Sequence, residues 1–121
     1  MANINLKLRL SIGHSIAMGP GKADLLETIA ACGSISSAAK QMKMSYRRAW
    51  ELVDLMNKCF KQPVVTTSPG GAHGGGAQVT EFGMLILKSY RDMVRKANAA
   101  ATQEINFINT HIRLPEQIKL E

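Results

Sequence analysis

Apolar and polar residues alternate at the start of the chain. Ile4, Leu6, Leu8, Leu10 and Ile12 interleave with Asn5, Lys7, Arg9 and Ser11. A period of two predicts a half-buried strand, which Gly13 ends. The stretch from Ile16 to Lys22 holds Gly19, Pro20 and Gly21 and reads as a loop. Pro20 is suited to open the next helix, where its missing N–H costs nothing. Leu25, Leu26, Ile29 and Ala30 then mark one helical face, with Cys32 just beyond it and Gly33 closing the helix.

The next stretch, Gly33 to Trp50, predicts two short helices joined by a tight turn. Ser34 or Ser36 can cap the first, because a serine oxygen accepts from the first free backbone N–H groups. Ala38 and Ala39 are small enough to let a second helix cross closely, and Met42 and Met44 are the apolar residues flanking the turn. Ser45 is a second N-cap. Ala49, Val53, Met56 and Phe60 follow at spacings of four, three and four, one face of a helix. Tyr46, Arg47 and Arg48 are then offered outward from its first turn. Together these features describe a helix-turn-helix, whose second helix enters the DNA major groove by its N-terminal end.

Pro63 breaks the helical pattern. Val64 to Thr67 and Ala77 to Thr80 read as two strands around the glycine-rich loop from Pro69 to Gly76, a β-hairpin with a long tip. That loop has three readings: a plain turn, a phosphate cradle of a nucleotide site, or the tip of a wing lying against DNA. A nucleotide cradle is disfavoured, since no Gly-Lys-Ser/Thr ending follows and the loop joins two strands. Its place after a helix-turn-helix favours the wing, where glycine lets backbone N–H groups approach phosphates closely.

The last long element starts at Thr80, a further N-cap. Phe82, Ile86, Tyr90, Met93, Ala97, Ala101, Ile105 and Ile108 advance by four or three throughout. They predict one helix over about 81–110, with a stripe roughly 27 residues and about 40 Å long. A domain of this size cannot cover such a stripe, so a dimer interface is expected there. The tail from Ile112 to Glu121, with Pro115, shows no pattern.

Composition narrows the function. With 121 residues the chain has room for one domain over residues 1–121. Its net charge of +6 favours a polyanionic partner. Between Lys40 and Lys61 there are Lys40, Lys43, Arg47, Arg48, Lys58 and Lys61 against only Glu51 and Asp54, and no acidic residue lies between Asp54 and Glu81. The recognition helix and the wing therefore share an acid-poor region. Counterion release from DNA phosphates would supply the non-specific affinity there. No apolar run approaches the roughly 20 residues of a membrane span, and the N-terminus lacks the continuous apolar segment of a signal peptide. Cys32 and Cys59 are expected to be reduced and buried, in a cytoplasmic protein. His14, His73 and His111 lack ligand spacing, so no metal or cofactor is assigned. No nucleophile with a partnered base is visible, so no enzymatic activity is expected.

The run Gly33-Ser34-Ile35-Ser36 through Ala38-Ala39, then Ser45-Tyr46-Arg47-Arg48-Ala49-Trp50 and Met56-Asn57, resembles the DNA-binding domain of ModE-type molybdate-responsive regulators. Gly70-Gly71 and Gly74-Gly75-Gly76 followed by Val79-Thr80-Glu81-Phe82-Gly83 are similar to the same family. The helix-turn-helix also resembles that of LysR-type regulators, but the Ser-Tyr-x-x-Ala-Trp string and the glycine wing favour ModE. The resemblance covers roughly residues 5 to 95. It implies an α+β, mainly α, winged helix-turn-helix, a homodimer built through the N-terminal strand and the long terminal helix, and transcriptional control. Full-length ModE regulators carry molybdate-binding domains after this domain. This chain ends about ten residues past its long helix, so molybdate is not expected to bind it directly.

The residues expected at double-stranded DNA are Ser34, Ser36, Ser45, Tyr46, Arg47, Arg48 and Trp50, with Gly71, His73, Gly74 and Gly75 of the wing. Arginine suits bidentate contact with guanine and equally suits phosphate. Trp50, one turn past Tyr46, has two readings: facing the groove, or packed against the wing. Leu6, Leu8, Ile86, Tyr90, Met93, Ala97, Ala101 and Ile105 are expected at the dimer interface. A protein-interaction winged helix is the alternative, and it would need neither the basic helix nor the glycine wing.

Overall fold

A computed structural model describes residues 4–69 and 76–118 of the chain. The wing glycines Gly71, Gly74 and Gly75, and His73 with them, lie outside the described residues. The elements run β1 (Leu10–Ile12), β2 (Ser15–Met18), α1 (Pro20–Cys32), α2 (Ile35–Gln41), α3 (Tyr46–Cys59), β3 (Val65–Thr67), β4 (Ala77–Val79), α4 (Glu81–Ala100) and α5 (Thr102–Thr110), with a 3₁₀ turn at Pro115–Gln117. This is an α+β architecture dominated by helices.

The N-terminal strand differs from expectation. Only Leu10–Ile12 joins a ladder, and its partner is β2, in the stretch that reads as a loop. Ile12 pairs with Ser15 across Gly13 and His14, and Gly13 has φ +57, a conformation cheap for glycine. Residues 4–9 keep the period of two without a ladder. Ile4, Leu6 and Leu8 are half-buried while Asn5, Lys7 and Arg9 are exposed. Side chains of α4 satisfy their backbone instead: Leu6 N–H donates to Asn98 Oδ1 at 2.8 Å, and the Tyr90 hydroxyl donates to Leu8 O at 2.7 Å. Burial raises the Tyr90 phenol above its ordinary pKa.

Three of the helices, α2, α3 and α4, begin where the sequence supplies a side-chain cap, and α1 begins at a proline. Pro20 takes the first position of α1, and Gly33, at φ +75, ends it by donating to Ile29 O. Ser34 caps α2 by accepting from Ser37 N–H at 3.0 Å; Ser36 is exposed inside the first turn and does not cap. Ser45 caps α3 through Arg48 N–H at 3.0 Å, and Thr80 caps α4 through Gly83 N–H at 2.8 Å. The turn between α2 and α3 is a Schellman closure. Met44 N–H reaches Ala39 O and Lys43 N–H reaches Lys40 O, with Lys43 itself left-handed at φ +58.

The core lies between α1, α2, α3, α4 and the hairpin. Met18, Leu25, Leu26, Ile29, Met56 and Val64 are its fully buried large side chains. Gly83 lets the start of α4 press on the residue before β3. A Cβ there would collide with the Val64 carbonyl oxygen and lie 2.8 Å from Val79 Cγ1. Cys32 and Cys59 are free thiols and half-buried rather than buried.

The long terminal helix is not one rod. Ala101, at φ −98 and ψ 15, divides it into α4 and α5. The Thr102 hydroxyl donates to Ala99 O at 2.8 Å, drawing that carbonyl away from the helical ladder. The apolar stripe divides with it. Phe82, Leu87, Tyr90, Met93 and Val94 pack on the chain's own core, and Ile86 joins them half-buried, whereas α5 buries no residue at all.

Candidate nucleic-acid interface

Ala49, Val53 and Met56 anchor α3 in the core, and this fixes what its other faces present. Ser45, Tyr46, Arg47, Arg48 and Trp50 are all exposed. Tyr46 is 56% and Trp50 47% exposed, so Trp50 is not a core residue. The two aromatic side chains are one helical turn apart, on the side toward the hairpin. With Ser34, Ser36, Thr67, Ser68 and Gly76 they line a cleft of about 370 Å³ between α2, α3 and the base of the wing. Of the two readings of Trp50, the structure thus gives a solvent-facing ring beside the wing. An exposed aromatic floor flanked by hydroxyls offers both apolar contact and hydrogen bonds to a nucleic-acid backbone.

The arginines leave α3 in different directions. The Arg47 side chain is 89% exposed, and its Nε donates to Glu51 Oε1 at 3.1 Å. An exposed i,i+4 pair contributes little net stability, so this guanidinium can exchange Glu51 for another acceptor at small cost. Arg48 lies on the opposite flank from Trp50, near Met44, Leu52 and the start of α1.

The wing is positioned by a residue that sequence reasoning did not single out for this role. The Asn57 side chain accepts from Val64 N–H at 2.8 Å and Val65 N–H at 3.2 Å, and donates to Val65 O at 3.0 Å. One amide thereby satisfies three backbone groups where the chain leaves α3 and enters β3. A signal exists: Asn57 is four residues beyond Val53, a polar residue on the apolar face. β3 and β4 pair antiparallel, Val65 with Val79 and Thr67 with Ala77, within a residue of the expected strands. Ala77 N–H also donates to Gly33 O at 2.9 Å, pinning the wing's base to the α1–α2 corner.

The residues expected at a dimer interface are covered to different degrees within the single chain. Tyr90 is 3% exposed, buried within its own chain. Leu6, Leu8, Ile86 and Met93 are half-buried against their own chain, and Ala97, Ala101 and Ile105 are also half-buried. Besides Tyr46 and Trp50, the large apolar residues left uncovered among the described residues are others: Leu10 and Ile12 on β1, Met84 and Leu85 on α4, Phe107 and Ile108 on α5, and Ile112 and Ile118 beyond it. His14 sits in the β1–β2 turn and the His111 ring lies 4.8 Å from that of Phe107, so the histidines do not converge among the described residues. Among those residues no helix is long and apolar enough to cross a membrane.

A capped helix-turn-helix followed directly by a two-stranded wing defines the chain as a winged helix-turn-helix. No family model matches it. Over its whole length it is 33% identical to the transcriptional regulator ModE of Haemophilus influenzae, spanning 44% of that protein. It is 34% identical over 100 residues to the molybdenum-pterin-binding protein MopA of Rhodobacter capsulatus, covering 83% of this chain and 36% of MopA. It is 35% identical over 83 residues to the DNA-binding transcriptional dual regulator ModE of Escherichia coli K12, covering 69% of this chain and 32% of that one. The chain is related to the ModE regulators and corresponds to their N-terminal part, spanning less than half the length of these relatives. In fold it is similar to the full-length LysR-type regulator LysG of Corynebacterium glutamicum, with a TM-score of 0.52 and 22% identity over 80% of this chain and 31% of that one.

Proposed function

We propose that this chain is a DNA-binding transcriptional regulator that lays the start of α3 in the major groove and the β3–β4 wing along the flanking backbone, acting as a homodimer. The observation that carries this reading is the exposed, basic first turn of α3, with Tyr46 and Trp50 presented beside the wing and Arg47 and Arg48 exposed on the same turn. The relatives named as transcriptional regulators support it, and the acid-poor stretch between Asp54 and Glu81 fits a phosphate-lined partner. Ser34 and Ser36, at the start of α2, take positions suited to hydroxyl contacts with phosphate oxygens.

A gel shift and anisotropy titration with duplex DNA from upstream of the chain's own gene tests it. Affinity should fall steeply between about 50 and 200 mM salt. The Arg47→Ala/Arg48→Ala double variant should bind more weakly and, where an arginine reads guanine, relax the preference at that base pair by about 1–3 kcal/mol. Unchanged affinity and preference in the double variant would mean that α3 is not the reader.

A further inference from the structure

On the flank of α3 away from the wing, a second and larger cleft of about 800 Å³ opens between α3, the start of α1 and the N-terminal segment. Lys7, Arg9, Lys22 and Arg48 line it, and no acidic residue does. None of the four takes part in the ion pairs of the described residues, whereas Arg47, Lys58, Lys88, Arg91 and Arg95 all do. The cations come from three separate parts of the chain, and the fold brings them together. Arg9 is held at the mouth of α1, its Cγ 3.5 Å from where a Cβ of Gly19 would stand.

The start of α1 adds to the positive field. Pro20 has no N–H, so Gly21 and Lys22 offer the first backbone N–H groups of a 13-residue helix, and no side chain caps them. A Cβ on Gly21 would meet nothing within 4 Å, so the approach to those groups is open. The first turn of α1 contains no acidic residue to neutralise it. The Lys22 ammonium is held below its ordinary pKa, first by burial; Cys59 opposes the shift, and the nearby Arg48 and Arg9 add to it. Like charges gathered without counter-charge raise each other's energy, and a bound anion removes that cost.

We propose that this cleft binds a phosphate group, held by Lys22, Arg9 and Arg48 and by the open N–H groups at the start of α1. Two sources share that chemistry: a backbone phosphate of duplex DNA beside the recognition helix, and a free phosphate or phosphorylated small molecule. The first source rests on the DNA-binding reading above; the second does not.

The Arg9→Gln/Lys22→Gln variant separates them, with Lys96→Gln/Arg113→Gln removing two charges outside the cleft as the control. For a DNA phosphate, the slope of log affinity against log salt should become shallower by about one to two in the cleft variant. Base preference should be unchanged and the control should keep most of the wild-type slope. For a free phosphate, inorganic phosphate and pyrophosphate should give saturable amide shifts at Gly21 and Lys22 of the DNA-free protein, lost in the cleft variant. If the wild-type protein bound no duplex, the DNA-binding reading would fail and the phosphate titration alone would decide the cleft. A wild-type salt slope in the cleft variant together with no saturable shift in the DNA-free protein overturns the proposal.

Discussion

Lys43 shows how one residue can serve stability and function in opposite directions. It is a non-glycine residue at positive φ, and it closes α2 so that α3 departs at the angle a helix-turn-helix needs. An L-residue in the left-handed region costs roughly 1–2 kcal/mol, part of which glycine returns in unfolded-state entropy. Lys43→Gly should therefore raise stability by about 0.5–1 kcal/mol. Its side chain is exposed next to α3, so the same change removes a positive charge from the face proposed to meet DNA. A melting temperature a few degrees higher together with weaker duplex affinity is the expected pair of results. A lower melting temperature would mean that the Lys43 side chain contributes more to the fold than its backbone strain costs. Gly33 and Gly13 reach similar φ values with no such conflict, because neither carries a side chain.

At the scale of elements, the entry to β3 is held by one side-chain amide. Val64 and Val65 are buried, and Asn57 is the acceptor for both of their N–H groups. Asn57→Ala leaves two buried donors unpaired, at a cost of about 1–3 kcal/mol. Thermal unfolding should register a clear drop, and duplex affinity should fall with it as the wing loses its fixed angle to α3. An unchanged melting temperature would mean that other groups satisfy these donors. The helix-turn-helix and its wing were legible in the sequence because local chemistry specifies them: caps at Ser34, Ser45 and Thr80, paired alanines, and an apolar stripe from Ala49 to Met56. β2 was not legible, since Ser15-Ile16-Ala17-Met18 is too short to show a period and sits among glycines. The orientation of the α4 stripe was not legible either. Periodicity says that Ile86, Tyr90 and Met93 share a face; only the fold says that this face meets residues 4–9 and the core. The break at Ala101 depends on a Thr102 hydroxyl choosing a carbonyl over solvent, which spacing does not reveal. The basic cleft is likewise a tertiary feature, assembled from residues 7, 9, 22 and 48.

At the scale of the whole molecule, α5 carries the case for a homodimer. Nine residues of helix are marginal in water by themselves, and Thr102–Thr110 buries none of its side chains in the protomer. Phe107 is 68% exposed, Ile108 stands beside it, and Leu10, Ile12, Met84 and Leu85 add further uncovered apolar surface. A second copy meeting these surfaces across a two-fold axis would bury them and give α5 something to pack on. The same axis would present two recognition helices to one duplex, so the operator should be an inverted repeat with half-sites about one helical turn apart, or a multiple of it. Met93 is a poor probe of that interface because it packs on its own core, whereas Phe107 and Ile108 can be changed without disturbing the fold. Phe107→Glu and Ile108→Glu should separate the subunits in sedimentation and leave the helical circular dichroism of residues 20–100 largely intact. Affinity for the inverted repeat should fall far more than affinity for a single half-site, because only the paired site uses both copies. A wild-type protein that sediments as a monomer at tens of micromolar, roughly where an interface of ordinary size is saturated, would remove the two-fold model. Each copy would then meet a single half-site, and α5 would need another partner.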